Sequence, residues 1–115
     1  MSDIKELTRK IKRFRDGRDW KQFHNPKDSA IALLSEATEV LDLFKWLNSK
    51  ELEMYAKEKR KEIGDELSDV LYWVLLMAHD LKIDLPKAFE EKMKENEKKY
   101  PIGKVKGKHT KYNKL

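Results

Sequence analysis

Nine consecutive residues, Val70 to Ala78, carry no charge and nothing but apolar or aromatic side chains. No alternating strand pattern occurs anywhere in the chain; its apolar residues recur three and four apart, which is the helical period. A helix that is apolar on every side must be covered on every side. The run therefore predicts an all-α, four-helix-bundle-like subunit built around this segment. Three other short helices are few for that task, so a partner subunit is expected to help. With 115 residues the chain has the size of one small domain.

Four helices are expected. The first runs from about Asp3 to Arg15, with Ile4, Leu7, Ile11 and Phe14 on one stripe and Asp3 and Glu6 resembling a capping box. A connector follows, Arg18-Asp19-Trp20-Lys21-Gln22-Phe23-His24. The second helix opens on Asn25 as N-cap and Pro26 at N1, and is expected to end near Asn48. Its apolar face is read as Ala30, Leu33, Leu34, Ala37, Val40, Leu41 and Phe44. The third begins between Glu51 and Lys57 and ends near Asp80. Asp84 caps the fourth, which Pro101 terminates. Residues 1–101 make the folded domain in this reading, and 102–115 a basic tail that is extended or disordered.

Charge is distributed unevenly. Of 115 residues 26 are Lys or Arg, yet Asp28 to Phe44 and Glu62 to Leu81 contain none. The first stretch holds Glu36, Glu39 and Asp42; the second holds Glu62, Asp65, Glu66, Asp69 and Asp80. Helical acids ordinarily have a cation three or four residues away, and Glu36, Glu39, Glu66 and Asp69 have none. Such pairs on their own are usual on solvated helix faces. Here the flanking residues are apolar and the arrangement occurs twice. At 100° per residue, Glu36 and Glu39 share a 60° sector, with Trp46 seven residues on. Glu62, Glu66, Asp69 and Trp73 likewise share a stripe, whereas Asp65 lies 60° off it and is read as solvated. Facing each other in a bundle, the pairs would form an all-oxygen site suited to Mg²⁺ or Mn²⁺.

These residues carry a resemblance. Glu36-x-x-Glu39, 26 intervening residues, then Glu66-x-x-Asp69 resembles the signature of MazG-type, all-α nucleoside triphosphate pyrophosphohydrolases, most of all the small single-domain dCTP pyrophosphatase branch. The connector through Asn25-Pro26, Glu66-Leu67-Ser68-Asp69-Val70-Leu71, Asp84-Leu85-Pro86, Lys92-Met93-x-x-Asn96 and Tyr100-Pro101 extend it over residues 4–101. Ser35 stands where many members have a further Glu, and Ala37-Thr38 where a Gly is common. The resemblance implies that Glu36, Glu39, Glu66 and Asp69 bind Mg²⁺; on chemical grounds a carboxylate not fully used in ligation, Glu36 or Glu39, is expected to take the proton from water. The resemblance also implies that Trp20, His24, Trp46 and Trp73 surround a base, and that Lys92, Asn96 and Tyr100 contact phosphates or sugar. A nucleoside triphosphate substrate follows in the same way, and the apolar run of Val70 to Ala78 sets the expectation of a homo-oligomer, a tetramer ahead of a dimer.

The rival reading is a non-catalytic helical module that binds metal or nucleic acid. Net charge is +5, but seven lysines and no acid fall in 98–115, so the preceding 97 residues carry −2. A short lysine tail without interleaved aromatics attracts nucleic acid only weakly. His79 and His109 receive no site role. There is no cysteine, no apolar run of secretory type and nothing near the roughly 20 apolar residues that span a bilayer, so the expected location is cytoplasmic.

Overall fold

The computed structural model describes residues 3–109, and among them every regular element is helical. In order these are α1 (Ile4–Asp16), a 3₁₀ turn (Lys21–Phe23), α2 (Pro26–Asp42), α3 (Ser49–Glu58), α4 (Arg60–Asp80), α5 (Leu85–Lys99) and α6 (Ile102–Val105). The chain divides between Lys82 and Ile83 into two compact units.

Helix starts lie where the capping residues put them. Asp3 accepts from the Glu6 amide at 2.8 Å, Asn25 from the Asp28 amide at 2.9 Å and Asp84 from the Lys87 amide at 3.2 Å. Two boundaries differ from expectation, the first for a capping reason and the second through a backbone departure. Asn48 starts α3 instead of ending α2: its side chain accepts from the Glu51 amide while Glu51 accepts from the Asn48 amide, a complete capping box. The chain between Asp42 and Asn48 is consequently a string of turns. The long third helix is also broken, at Lys59, whose φ of −110° and ψ of 30° depart from helix.

In the first unit α4 packs against α2 most extensively, then against α1 and α3. Leu75, Leu76 and Ala78 of the apolar run are buried, and from Val70 to Ala78 Leu71 alone is exposed. Cover for this run thus comes largely from the chain itself. The packed face of α2 is rotated from the predicted one. Ser29, Ala32, Leu33, Glu36 and Val40 are the less exposed positions, while Ile31, Leu34 and Leu41 are 55%, 68% and 59% exposed. Glu36 therefore sits within the packed face, not at its edge, and an apolar stripe on the opposite side of α2 is left bare.

The second unit contains α5 and α6. Lys92, Asn96 and Tyr100 lie four residues apart on or just after α5, and Glu95 pairs with Lys92 at 3.5 Å and Lys99 at 2.9 Å. Ile102–Val105 forms one helical turn started by Pro101, whose carbonyl accepts from the Lys104 amide, where extended chain was expected. Residues 110–115 of the predicted tail lie outside the described residues.

Candidate active site

The four acids singled out by the missing cations come together. Glu36 and Glu39 of α2 and Glu66 and Asp69 of α4 each offer a carboxylate oxygen, and these oxygens all lie within 4.8 Å of one another. The period of 3.6 explains it: residues three apart share a helix face, and the two faces meet where α2 packs on α4. None of the four forms an ion pair with a described Lys or Arg. Asp65, by contrast, is held at 2.8 Å by Lys61, and Glu62 is exposed.

The cluster is electrostatically costly as it stands. Loss of solvation, a hydrogen bond with Glu39 and the charges of Glu39, Asp69 and Glu66 all raise the pKa of Glu36 above its ordinary value near 4.5. Glu66 is raised first by its hydrogen bond with Glu39, then by loss of solvation and by neighbouring charge. Glu36 Oε2 and Glu66 Oε2 are shielded from solvent and have no hydrogen-bond partner. Buried carboxylate oxygens ordinarily have partners. Two orphaned oxygens in an oxygen-only donor set fit a hard divalent cation, and these four residues could hold one.

Beside the acids lies an aromatic cavity of about 290 Å³, lined by Phe14, Trp20, His24, Asp69, Tyr72 and Trp73. Asp69 thus belongs to both the cluster and the cavity wall. The rings brace one another edge to face: Phe14 on Trp20 at 5.7 Å, Phe14 on Tyr72 at 6.2 Å, Tyr72 on Trp73 and His24 on Trp73 both at 5.2 Å. Trp20 is seated by the loop before it. Its amide donates to the Arg15 carbonyl, Asp19 takes a left-handed φ of 53°, and Gln22 Nε2 bonds both the Asp19 carbonyl and its carboxylate at 3.0 Å.

Of the residues expected around a base, Trp20, His24 and Trp73 share this cavity and Trp46 does not. Trp46 is 84% exposed and meets the Lys45 ammonium at 5.4 Å. The helical stripe that tied it to Glu39 fails because α2 ends at Asp42. Lys92, Asn96 and Tyr100 belong to the second unit.

Sequence reasoning missed Phe14 and Tyr72 as cavity walls, and it missed Arg15. The Arg15 residue is fully buried, and its Nη1 lies 2.7 Å from Asp80 Oδ2 and 3.5 Å from His24 Nδ1. The signal was present, since Asp80 is another acid of a stretch without cations. Its cation lies 65 positions away in sequence, beyond the reach of any helical spacing rule.

The family model of the MazG-like family matches residues 31–115. The chain is 33% identical to dCTP pyrophosphatase 1 of Rattus norvegicus over 114 residues, covering 97% of this chain and 67% of that protein. It is 32% identical to dCTP pyrophosphatase 1 of Homo sapiens over the same shares. Among solved structures, a pyrophosphatase from Archaeoglobus fulgidus superposes with a TM-score of 0.82 at 32% identity, over 88% of this chain and 94% of that one. The chain belongs to the MazG-like family. No described helix is long and apolar enough to cross a membrane.

Proposed function

We propose that this chain, a nucleoside triphosphate pyrophosphohydrolase, converts dCTP or a related or modified pyrimidine deoxynucleoside triphosphate to the monophosphate and pyrophosphate. The observation that carries the reading is the junction of the four-carboxylate cluster with the aromatic cavity at Asp69. A triphosphate needs its charge neutralised where it reacts and a flat apolar slot for its base. The relatives that are dCTP pyrophosphatases support cytosine as the base. Family membership favours this over the non-catalytic module.

Glu36, Glu39, Glu66 and Asp69 would hold Mg²⁺, with Mn²⁺ as the alternative of the same coordination chemistry. When bound, the cation supplies charge neutralisation to the triphosphate and acidity to the attacking water. The chain's own residues do the rest. Glu36 or Glu39, whichever carboxylate is not fully used in ligation, takes the proton from that water. Trp20 and Trp73 hold the base and exclude water around it, with His24 at the cavity wall. Lys92, Asn96 and Tyr100 are assigned to phosphate and sugar contacts. A pyrophosphate-release assay over the canonical and modified deoxynucleoside triphosphates with Mg²⁺ tests the reading. Absence of release from every one would overturn it.

Stacking on a base is made equally in the ground and transition states, so its loss acts on KM more than on kcat. Trp20→Ala and Trp73→Ala are each expected to raise KM by about 5- to 150-fold, corresponding to about 1–3 kcal/mol of lost stacking, with kcat nearly unchanged. Steady-state kinetics check this, and unchanged KM in both variants would return the rings to a packing role.

A homo-oligomer is part of the proposal, a tetramer ahead of a dimer. Its support is the bare stripe of Ile31, Leu34 and Leu41 on α2, with Leu67 of α4 also 53% exposed. Contiguous exposed apolar surface is characteristic of interfaces. Light scattering is expected to give at least twice the 13.7 kDa chain mass, and Leu34→Glu is expected to lower it. A wild-type monomer that is stable and active removes this part.

A further inference from the structure

The buried Arg15 is not a residue that the chemistry above uses, and its position beside the cavity is specific. Its side chain is 1% exposed, and it is held on several sides. Nη1 lies 2.7 Å from the Asp80 carboxylate, Nε lies 3.9 Å from the Asp16 carboxylate, and its carbonyl accepts from the amides of Arg18 and Trp20. The same Nη1 faces His24 Nδ1 at 3.5 Å. A guanidinium can only donate and is always charged. An N–H at His24 Nδ1 would point its positive end at that cation. The lone pair must therefore be at Nδ1 and the hydrogen at Nε2.

We propose that Arg15 is a positioning residue: it holds His24 as the Nε2–H tautomer, so that the cavity wall presents one defined hydrogen-bond donor to an acceptor atom on the edge of the bound base. The inference rests on reading the cavity as the base pocket. His24 is held at both ends, by Trp73 edge to face at 5.2 Å and by Arg15 at Nδ1. A ring fixed in place and in tautomer offers its donor without reorganisation. A site with a fixed donor rejects a base whose facing atom is also a donor, because that pair would be left unbonded. Pyrimidine carbonyl oxygens and the cytosine ring nitrogen N3 are acceptors that such a donor suits. Arg15 also pairs with the Asp80 carboxylate, so the counter-ion of the buried guanidinium and the tautomer of His24 are tied to one side chain.

The test is a histidine ring ¹⁵N spectrum of the full chain, taken above the ordinary imidazole pKa of about 6.5, combined with kinetics on dCTP. His24 is identified by its loss in His24→Ala. The expected spectrum has a pyridine-like Nδ1 and a pyrrole-like Nε2 at His24. Removing the pair as Arg15→Met with Asp80→Leu avoids leaving the Asp80 carboxylate without its cation, and is expected to mix the tautomers and raise KM about five- to tenfold, with kcat little changed. In a His24→Ala background the same two substitutions are expected to change KM no further, whereas a merely structural role would add to the loss. A wild-type His24 with a pyrrole-like Nδ1 overturns the proposal, and so does a folded double variant with unchanged spectrum and KM. If the double variant does not fold, the wild-type spectrum decides alone. Failure of the wild type to hydrolyse any nucleotide would remove the base-pocket reading, while the tautomer assignment is still judged by the spectrum.

Discussion

Asp69→Asn is expected to reduce pyrophosphate release by at least about 10²-fold, the range for removing one preorganised electrostatic contact from an active site, while leaving the helical circular dichroism spectrum unchanged. Asp69 is exposed, so its carboxylate contributes little to packing, and the isosteric amide costs the fold almost nothing. What it removes is one of the four oxygens within 4.8 Å of one another and a charged wall of the aromatic cavity. The amide keeps the shape but loses the charge, so a cation held by four carboxylates would be held by three. Glu39→Gln is expected to behave alike, because Glu39 is the hydrogen-bonding neighbour of both Glu36 and Glu66. If Asp69→Asn turns over dCTP at the wild-type rate with Mg²⁺ present, the cluster is not where the reaction occurs.

Much of this site could be read in the sequence because its logic is local. Glu36 with Glu39 and Glu66 with Asp69 are three apart, a spacing that helix geometry converts into a shared face with no knowledge of the fold. The absence of nearby Lys or Arg is equally local, and it marked the acids that the structure brings together. Asp84 and Asn25 were legible as caps for the same reason. What failed was of two kinds. Asn48 was read as a helix end because propensity alone does not say which of two helices a residue caps; the reciprocal bond with Glu51 decides it. Trp46 was placed with Glu39 by a wheel that continued beyond Asp42, where the helix has already stopped. Arg15 was missed because a lone Arg beside an apolar stripe is normally solvated, and only the tertiary pairing with Asp80 and His24 accounts for its burial. Non-local partners are the part of a fold that spacing rules do not carry.

Millimolar Mg²⁺ is expected to raise the melting temperature of the wild type, and the size of that rise is expected to vanish in Glu39→Gln. A ligand that binds the folded state alone stabilises it by about 2.7 kcal/mol at a hundred times its dissociation constant, which for a chain of this size corresponds to a shift on the order of ten degrees. Without the ion, Glu39→Gln is expected to melt higher than the wild type, because it removes one charge from a cluster whose members raise one another's pKa. The pH dependence has a definite sign. The folded-state pKa of Glu36 and of Glu66 lies above the ordinary value near 4.5. The unfolded chain therefore releases these protons at a lower pH than the folded one, and the repulsion costs stability only above that point. The stability lost through these two groups is absent below about pH 4.5 and appears as pH rises through their folded pKa values. The advantage of Glu39→Gln over the wild type in the absence of metal should therefore be largest at neutral pH and shrink toward pH 4.5. Thermal melts at several pH values with EDTA or Mg²⁺ measure every part of this. An advantage that is the same at all pH values would mean that charge repulsion is not its source, and a wild-type melting temperature indifferent to Mg²⁺ would mean that the four carboxylates hold no metal.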